Sequence, residues 1–351
     1  MGTSGKMIDR SLMIYSYSEI PAEWDSYILR NERATFFHQI GYKRVIEESF
    51  GHKPYYLAFL NNGEIRGILP LFLVKSRLFG FFLVSLPFCD YGGIVADSES
   101  VQKRLWETAI EIAQKEQVQV IELQQRDRDN LGLYQNLEKV NLKLLLDTEE
   151  RIWRSFKGKV RNQIRKAQKA GLQFKVGGIE ELSQFYKVFA TTMRDLGTPV
   201  YPLSFFDNLL KNFPSTSEVL LVTYQGKIIG GAIAIYFKET MEVPWASSWR
   251  KYFKYCPNNL LYWKAIERGC QKGYKYFNFG RSTKNSGNYK FKKQWGAEDE
   301  QLYYQYYLVK GKSIPDLNPQ SSKYRMAVNI WKRLPLAVTN YLGPKISRYI
   351  P

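Results

Sequence analysis

Basic and aromatic residues are concentrated in the last third of the chain, where their spacing predicts binding of an anionic group. Arg281 follows an alternating run, Tyr274 to Phe279, that is typical of a strand, and the run Tyr289 to Lys293 (Y-K-F-K-K) comes soon after it. Asn258 stands at the predicted start of a helix. Because ligands of α/β sheets bind where strands end and helices begin, we expect Arg281, the helix N-terminus at Asn258 and the run 289–293 to face one cleft. The alternative is a scaffold with charged ends.

A strand, a helix and a second strand must position these residues. Val243 to Trp249 is predicted to be a buried strand, and the helix that follows is capped by Asn258 or Asn259 and stops at Gly273. The second strand is predicted to end in a turn at Gly280-Arg281-Ser282. This order of elements predicts that the two strands pair in parallel.

The two halves of the chain have the same predicted order of elements: hairpin, strand, helix, strand. The first hairpin turns at Asn61-Asn62-Gly63 and the second at Gln225-Gly226-Lys227. The segment N-x-G-E-I-x-G-I-L-P of the first half also resembles Q-G-K-I-I-G-G-A-I of the second. With 351 residues, of which 44% are hydrophobic, the chain can bury two cores. We therefore predict an α/β fold with an internal duplication.

The sequence does not contain the residues and motifs that several other kinds of chemistry need. The chain has only two histidines, His38 and His52, and its three cysteines are widely spaced, which favours neither a disulfide framework nor a metal site. We find no G-x-S-x-G, no Walker loop, no G-x-G-x-x-G after a strand and no H-E-x-x-H. Serine or cysteine hydrolysis, nucleotide hydrolysis and metal chemistry are therefore not expected.

Four blocks of the second half, in the same order, resemble the FemAB family of aminoacyltransferases. This family belongs to the Gcn5-related N-acyltransferase (GNAT) superfamily, and the resemblance is greatest to its branch associated with exosortase and PEP-CTERM systems. The blocks are V-P-W-A-S-S from residue 243, C-P-N-N-L-L-Y-W from 256, F-N-F-G-R-S-T from 277 and Y-K-F-K-K-Q-W-G-A-E from 289. The resemblance implies two tandem GNAT-like domains, with mixed sheets flanked by helices, at residues 11–146 and 147–312, followed by a basic tail at 313–351.

The resemblance also implies a catalytic site. It places the lysine of the family at Lys292, where an ammonium group would stabilise an oxyanion or a donor phosphate, with Tyr289 and Phe291 as stacking neighbours. Transfer to an amine also needs a proton acceptor. Asp90, in a turn after a predicted strand, and Asp97 are candidates to orient or deprotonate that amine. The alternatives are a solvated lysine and aspartates that only form turns.

A basic helix is predicted between the two halves and ends at Gly171. Arg161, Arg165 and Lys169 lie on one face of it, at i, i+4 and i+8, and we call these three residues the basic stripe. The stripe either binds phosphates or is a solvated face. Its form, R-N-x-I-R-K-A-x-K-x-G, resembles the segment that opens the second domain of FemAB proteins. Arg194, just before the loop 196–202, is either a further contact to substrate or a free surface residue.

The loop that precedes the helix of the second half bears on whether the acyl donor is a CoA ester or a charged tRNA. GNAT enzymes that use CoA bind its pyrophosphate with a loop such as R-x-x-G-x-G, whereas residues 250–259 here contain no glycine. This bulk counts against acetyl-CoA and fits the FemAB resemblance, which implies a charged tRNA as donor and no bound cofactor. The coiled-coil insertion of some FemAB proteins has no counterpart in the sequence.

We therefore expect an acyltransferase that moves an aminoacyl group from charged tRNA to an amine of a cell-envelope precursor. A peptidoglycan or exopolysaccharide intermediate, including an anionic lipid-linked one, would be such an acceptor. One alternative is an acyl-CoA-dependent N-acyltransferase. The other is a non-catalytic module that binds a polyanion or a membrane.

The net charge of +18 and the pI near 9.5 favour a polyanionic partner, which includes tRNA, CoA and the inner face of an anionic membrane. The N-terminus lacks the apolar core of a signal peptide, and no stretch is typical of a membrane span, so we expect a cytoplasmic protein.

The tail from Lys323 is aromatic, basic and free of acidic residues, and Pro335 and Pro344 are predicted to divide it. It either packs on the second domain or lies peripherally on the inner membrane face.

Overall fold

The computed structural model of the protein describes residues 12–15, 20, 23–76, 79–128, 131–311 and 322–350. Fifteen strands and eleven α-helices lie within these residues. The strands are β1 Leu12–Tyr15, β2 Lys53–Asn61, β3 Glu64–Ser76, β4 Gly80–Val84, β5 Val95–Ala96, β6 Val120–Gln125, β7 Tyr134–Asn136, β8 Lys139–Leu145, β9 Gln173–Gly177, β10 Ser217–Tyr224, β11 Lys227–Phe237, β12 Thr240–Ser248, β13 Tyr276–Thr283, β14 Glu298–Gln301 and β15 Tyr303–Leu308. The helices are α1 Glu23–Arg30, α2 Ile40–Phe50, α3 Glu99–Lys115, α4 Glu149–Ser155, α5 Gly158–Lys169, α6 Leu182–Leu196, α7 Leu203–Asn212, α8 Pro257–Gln271, α9 Gly287–Lys293, α10 Ser322–Trp331 and α11 Leu336–Ser347.

The strands form two mixed sheets, each flanked by helices, as predicted for the fold class. The first sheet has the order β1-β2-β3-β4-β6-β15-β7, with β5 also paired to β3. The second sheet has the order β14-β8-β13-β12-β11-β10-β9. Each sheet contains one parallel pair, β4 with β6 and β12 with β13, and each pair is joined through a helix, α3 or α8. The predicted duplication and the predicted parallel pairing are therefore confirmed.

The hairpins that start the two halves use the same turn. Asn62 and Gly63 have φ of 51° and 81°, and Gln225 and Gly226 have φ of 50° and 73°. Positive φ at both central residues is the type I′ turn, whose twist matches that of the flanking strands. A β-bulge follows each turn within the hairpin, so the two copies share local irregularities as well as topology.

The two sheets exchange strands between the halves of the chain. Strand β8 follows the first half in sequence but pairs with β13 and β14 of the second sheet. Strand β15 follows the second half but pairs with β6 and β7 of the first sheet. The predicted boundary at residue 146 stays a prediction, and the sheets themselves are interlocked across it.

A shared hydrophobic core also joins the halves. The ring of Phe36 lies 4.4 Å from that of Phe213, and Phe50 lies 5.6 Å from Phe205, measured between ring centroids. These pairs connect the segments around α2 with α7. The burial of aromatic surface on both sides favours one fixed arrangement of the two sheets.

Helix α8 begins differently from the prediction. Its N-cap is Cys256, in a left-handed conformation with φ of 59°, and Pro257 occupies the first turn. Neither asparagine caps the helix, because the amide of Asn259 instead donates to Oε1 of Gln163 on α5 at 3.2 Å. Proline at this position needs no backbone donor and has the φ of a helix, which favours an early start. The predicted stop at Gly273 agrees with its φ of 76°.

Helices α10 and α11 cover the segment after α6. Val328 of α10 lies against Gly197, while Gly343 of α11 lies against Val200. Near the end of the chain, Arg348 donates from its guanidinium to the carbonyl of Phe50 at 2.7 Å, so the tail contacts both halves. The first residues of the predicted tail, 313–321, lie outside the described residues.

Pro344 does not divide the tail as predicted, because α11 runs through it to Ser347. The hydroxyl of Ser347 donates to the carbonyl of Val200 at 3.1 Å, one turn after the proline. Packing at this turn outweighs the single hydrogen bond that proline cannot donate. No helix among the described residues is long and apolar enough to cross a membrane.

Candidate active site

The parallel strands β12 and β13 separate after three residue pairs. Their pairing runs from Thr240 with Tyr276 to Glu242 with Asn278 and then stops, although both strands continue. Each strand carries an extra residue just beyond this point, at 243–244 in β12 and at 279–280 in β13. Bulges bend strands and increase their twist, which accounts for the separation.

The bulge of β13 requires glycine at position 280. Its φ is +73°, and a Cβ there would lie 2.9 Å from Oδ2 of Asp90 and 3.3 Å from Cα of Pro244. Any other residue would be strained and would collide with both neighbours. The predicted turn at 280–282 is therefore wrong, because β13 continues through the bulge to Thr283.

Asp90 reaches this bulge from the first half of the chain. Its Oδ2 accepts a hydrogen bond from the backbone N–H of Arg281 at 2.8 Å, and its Oδ1 lies 3.6 Å from Nε of the same residue. The hydroxyl of Tyr304, on β15, donates to the carbonyl oxygen of Asp90 at 2.9 Å and accepts from the Arg281 guanidinium. The carboxylate thus occupies the space that β12 leaves beside β13.

Lys292 reaches the same bulge from α9. It is only 6% exposed, and its Nζ donates to the carbonyl oxygens of Gly280 and Arg281, both at 2.9 Å. Burial lowers the pKa of its ammonium group to about 8, an effect that nearby Asp90 opposes. The side chain is therefore not a solvated lysine, and one of its three N–H donors is left for a ligand.

Glu242 completes the group and was missed from the sequence. The hydroxyl of Tyr91 donates to its Oε2 at 2.8 Å, while its Oε1 is buried and has no hydrogen-bond partner among the residues that the structure describes. Asn278 donates to the Tyr91 hydroxyl at 3.2 Å and accepts from the backbone N–H of Gly280 at 2.9 Å. Burial, together with the charge of Asp90, raises the pKa of the Glu242 carboxyl to about 8. A carboxyl group with this pKa is suited to exchange a proton near neutral pH.

Glu242 also lines a cavity of about 580 Å³ between the two sheets. Its wall includes Tyr91 and Asn278 beside Glu242, and charged residues of both signs. The cationic members are Arg126, Lys143, Lys238 and Lys275, and the other anionic members are Glu32, Glu239 and Glu300. The volume is that of a small-molecule site, and the wall is suited to a ligand that bears both charges.

Asp97 and Arg194 lie elsewhere. The carboxylate of Asp97 accepts from the hydroxyl of Tyr27 at 2.8 Å and lies 3.9 Å from Arg66, within the first half. It therefore holds α1 against β3 and is not part of the group around the bulge. Two nitrogens of the Arg194 guanidinium donate to Oδ1 of Asp195, at 3.0 and 2.7 Å, so this cation is already paired.

The predicted stacking residues have partners of their own. The hydroxyl of Tyr289 donates to Asp299 at 2.8 Å, and the ring of Phe291 lies 5.5 Å from that of Tyr262. Both residues thereby hold α9 against its surroundings, which fixes the position of Lys292 on the same helix. The structure thus joins Lys292, Arg281 and Asp90 at one place.

The basic stripe and the start of α8 form a second region. The stripe lies on α5, whose buried face packs against α8, and Arg165 stacks 5.5 Å from the ring of Trp153. Asn258 lies in the first turn of α8, half-buried. The preceding loop is a 3-10 helix, Arg250–Tyr255, and the ring of its last residue stacks on Tyr224 at 4.8 Å. Aromatic packing thus fills the place where a glycine loop would expose backbone N–H groups.

The comparisons with known proteins agree with this architecture. Residues 154–293 match the family described as "Acetyltransferase (GNAT) domain", a range that includes α5, the separated strands and Lys292. No curated protein matches the chain by sequence.

Solved structures show similarity of fold over most of the chain. FemX is 14% identical, with a TM-score of 0.64 over 82% of this chain and 96% of FemX. A conserved protein of unknown function from Bacteroides thetaiotaomicron is 11% identical, with a TM-score of 0.60 over 84% of this chain and 100% of that protein. L-PGS from Bacillus licheniformis is 12% identical, with a TM-score of 0.52 over 83% of this chain and 96% of L-PGS. Residues 154–293 therefore match a GNAT acetyltransferase domain, and they lie within a two-sheet fold that is similar to the fold of FemX.

Proposed function

We propose that the protein is an N-acyltransferase that moves an aminoacyl group from charged tRNA to an amine of a cell-envelope precursor. One observation carries the proposal: Asp90 and Lys292 both bind the β13 bulge, where the parallel strands of the GNAT-type domain separate, and Glu242 is linked to the same bulge through Tyr91 and Asn278. A carboxyl group and an ammonium group with displaced pKa values on either side of one bulge are suited to acyl transfer to an amine.

In this proposal Glu242 is the proton acceptor. The acceptor amine binds in the cavity, gives a proton to Glu242, and its lone pair attacks the carbonyl carbon of the donor ester. The negative charge that develops on the carbonyl oxygen is stabilised by the remaining N–H of Lys292. Collapse of the tetrahedral intermediate forms the amide bond and breaks the ester C–O bond. Glu242 passes the proton that it took from the amine to the leaving ribose oxygen, so the hydroxyl group is released and the amide keeps the remaining N–H.

Asp90 has a positioning role in this scheme. Its hydrogen bond to the N–H of Arg281 holds the bulge whose carbonyl oxygens bind Lys292. It therefore acts through Lys292, and its charge stabilises the protonated form of that residue.

The donor region supports a tRNA-borne donor. The Arg250–Tyr255 segment is packed with aromatic rings, and Pro257 has no N–H to offer to a pyrophosphate. The basic stripe on neighbouring α5 provides cations for a phosphate backbone. The match to an acetyltransferase family favours the second candidate, an acyl-CoA donor, and the two donors must be compared directly.

The acceptor region supports an amine that also carries an anionic group. Arg126 and Lys238 line the cavity with Glu242, so a zwitterionic ligand would find both partners. An amine-bearing peptidoglycan or exopolysaccharide intermediate has this chemistry. Such precursors are made on the cytoplasmic side of the cell membrane, which is where we propose that the enzyme acts.

The experiment is a comparison of donors with the purified protein. Total charged tRNA and a series of acyl-CoA esters are each incubated with amine-bearing envelope precursors, and the mass gain of the acceptor is followed. An aminoacyl mass gain that is lost after mild alkaline deacylation of the tRNA supports the proposal. Gain from acyl-CoA alone would establish the second candidate, and no gain with any donor, despite binding of polyanions, would establish a non-catalytic module.

A further inference from the structure

Helix α10 has one packed face and one open face. Val328 lies against Gly197, and the side chain of Trp331 is buried. On the opposite side, Met326 is 74% exposed and Ile330 is 56% exposed, although both are large apolar residues. They line a shallow hollow together with Asn329 and two cations, Arg325 and Arg333.

Helix α11 repeats this arrangement. Thr339, Gly343 and Ser347 are buried on the face that meets the segment after α6. Tyr341, on the other side, is 65% exposed, and Nζ of Lys345 lies 3.8 Å from the centre of its ring. Both helices pack on the short segment from Gly197 to Val200, so they are neighbours.

We give the name tail face to eight exposed residues on the open sides of α10 and α11, including Arg333 just after α10. It consists of Arg325, Met326, Asn329, Ile330, Arg333, Val338, Tyr341 and Lys345. The sequence from 317 to the end contains no acidic residue, so no carboxylate of this segment neutralises these cations. Exposed large apolar residues between cations that have no acidic neighbour in this segment are unusual for a face that meets only water.

We propose that the tail face docks on the surface of an anionic membrane. The apolar side chains would enter the region between headgroups and acyl chains, and the cations would lie at the level of the lipid phosphates. The long stems of Arg and Lys can bury beside the apolar residues while their charges stay in the headgroup layer. The packed faces keep α10 and α11 on the protein, so docking requires no unfolding. The two predicted roles of the tail, packing and membrane contact, then belong to opposite faces of the same helices.

This inference goes beyond the proposed reaction and does not depend on it. Its test is therefore a binding measurement without turnover. The full-length protein is sedimented with vesicles of phosphatidylglycerol mixed with phosphatidylcholine, and with vesicles of phosphatidylcholine alone, each at low and at high salt. We expect binding to the mixed vesicles that weakens with salt, and little binding to phosphatidylcholine.

Substitutions on the tail face should weaken that binding. We expect the variant with Met326→Ser, Ile330→Ser and Tyr341→Ser to bind mixed vesicles about tenfold less tightly or worse. The variant with Arg325→Gln, Arg333→Gln and Lys345→Gln should bind less tightly and lose the salt dependence. None of these side chains is buried, so the folded structure should be retained, which circular dichroism and thermal melting would check.

A matched control changes equally exposed apolar residues elsewhere. Leu29, Tyr134 and Leu145 are 62%, 66% and 61% exposed, and their joint replacement by serine should leave binding unchanged. Equal sedimentation of the parent and the tail-face variants, or equal binding to neutral and anionic vesicles, would overturn the proposal. The proposal would also be overturned if the parent did not bind vesicles but formed a dimer that the apolar variant abolished. The tail face would then bind a second copy of the chain.

Discussion

The carboxylate of Asp90 accepts a hydrogen bond from the backbone N–H of Arg281 at 2.8 Å, although 191 positions separate the two residues in the chain. A strand residue normally gives its N–H to the neighbouring strand, and here β12 has moved away. A side chain from the first half thus completes the hydrogen bonding of the second sheet at the site where Lys292 binds. Five predictions concern this arrangement and the basic stripe.

Replacing Asp90 tests whether its role is structural or electrostatic. Asp90→Asn keeps an oxygen that can accept from Arg281, so the free energy of unfolding should change little. Asp90→Ala leaves the N–H unpaired in a half-buried position and should cost about 1–3 kcal/mol in urea unfolding. If the charge also supports Lys292, both variants should lose turnover. A fully active Asp90→Asn protein would limit the role of Asp90 to the hydrogen bond.

Replacing Lys292 should reduce turnover by about two to three orders of magnitude, because an oxyanion donor acts in the transition state. Loss of the bonds to the Gly280 and Arg281 carbonyls should also destabilise the fold by about 1–3 kcal/mol. Lys292→Ala is therefore assayed under conditions in which circular dichroism shows it folded. Lys290→Ala is the matched control, since Lys290 is an exposed lysine of the same helix. Equal rates for the two variants would remove Lys292 from the mechanism.

The pH dependence of stability should report on Glu242. Its pKa is raised from 4.5 to about 8, so between these values the unfolded chain has lost a proton that the folded protein keeps. The stability that the protonated group contributes is fully present below pH 4.5 and is lost as the pH rises towards 8. Glu242→Gln mimics the protonated group, so its free energy of unfolding should not show this fall. If the free energy of unfolding changed with pH in the same way for the parent and the variant across this range, Glu242 would be ionised in the folded protein.

The same substitution tests catalysis. With Glu242 as the base, kcat/KM should rise with pH towards about 8, and the rising limb should vanish in Glu242→Gln together with about two to four orders of magnitude in rate. Lys292, whose pKa is lowered to about 8, must stay protonated, so the rate should fall at higher pH. The apparent pKa values of the two limbs of this pH profile belong to the interacting pair, Glu242 and Lys292, and not to either residue alone.

The basic stripe is tested by salt dependence. Replacing Arg161, Arg165 and Lys169 by glutamine should weaken tRNA binding and flatten its dependence on salt, because fewer counterions are released. A matched triple on α3, with Lys103, Arg104 and Lys115 replaced, removes the same charge from the first half. Equal salt slopes for the parent and the stripe variant would make this face an ordinary solvated one.

Local signals in the sequence predicted local structure. The turns at Asn62-Gly63 and Gln225-Gly226 and the helix after Pro257 follow from backbone preferences, which act within a few residues. The cap at Cys256 was not predicted, because the competing bond of Asn259 depends on α5, a helix far away in sequence.

The site was predictable only in part, for a similar reason. Lys292 and Asp90 were selected from the sequence, but their meeting point depends on the β13 bulge and on contacts between the halves. Asp97 was selected with Asp90 because it comes soon after the turn that contains Asp90, yet the carboxylate of Asp97 accepts a hydrogen bond from Tyr27. Glu242 is a single carboxylate in an apolar strand, which is the one sequence signal that would have selected it. Its pKa depends on burial under the first half, and no pattern in β12 encodes that burial.

The exchange of β8 and β15 bears on how the two copies evolved. After a tandem duplication, two copies that fold separately can be recombined, lost or expressed as independent genes. Here each copy has given a strand to the other, so a chain cut between them would leave β13 and β6 with unpaired edges. We therefore expect a half expressed alone to expose a strand edge of its sheet and to aggregate or pair with another chain, so the two copies depend on each other for solubility.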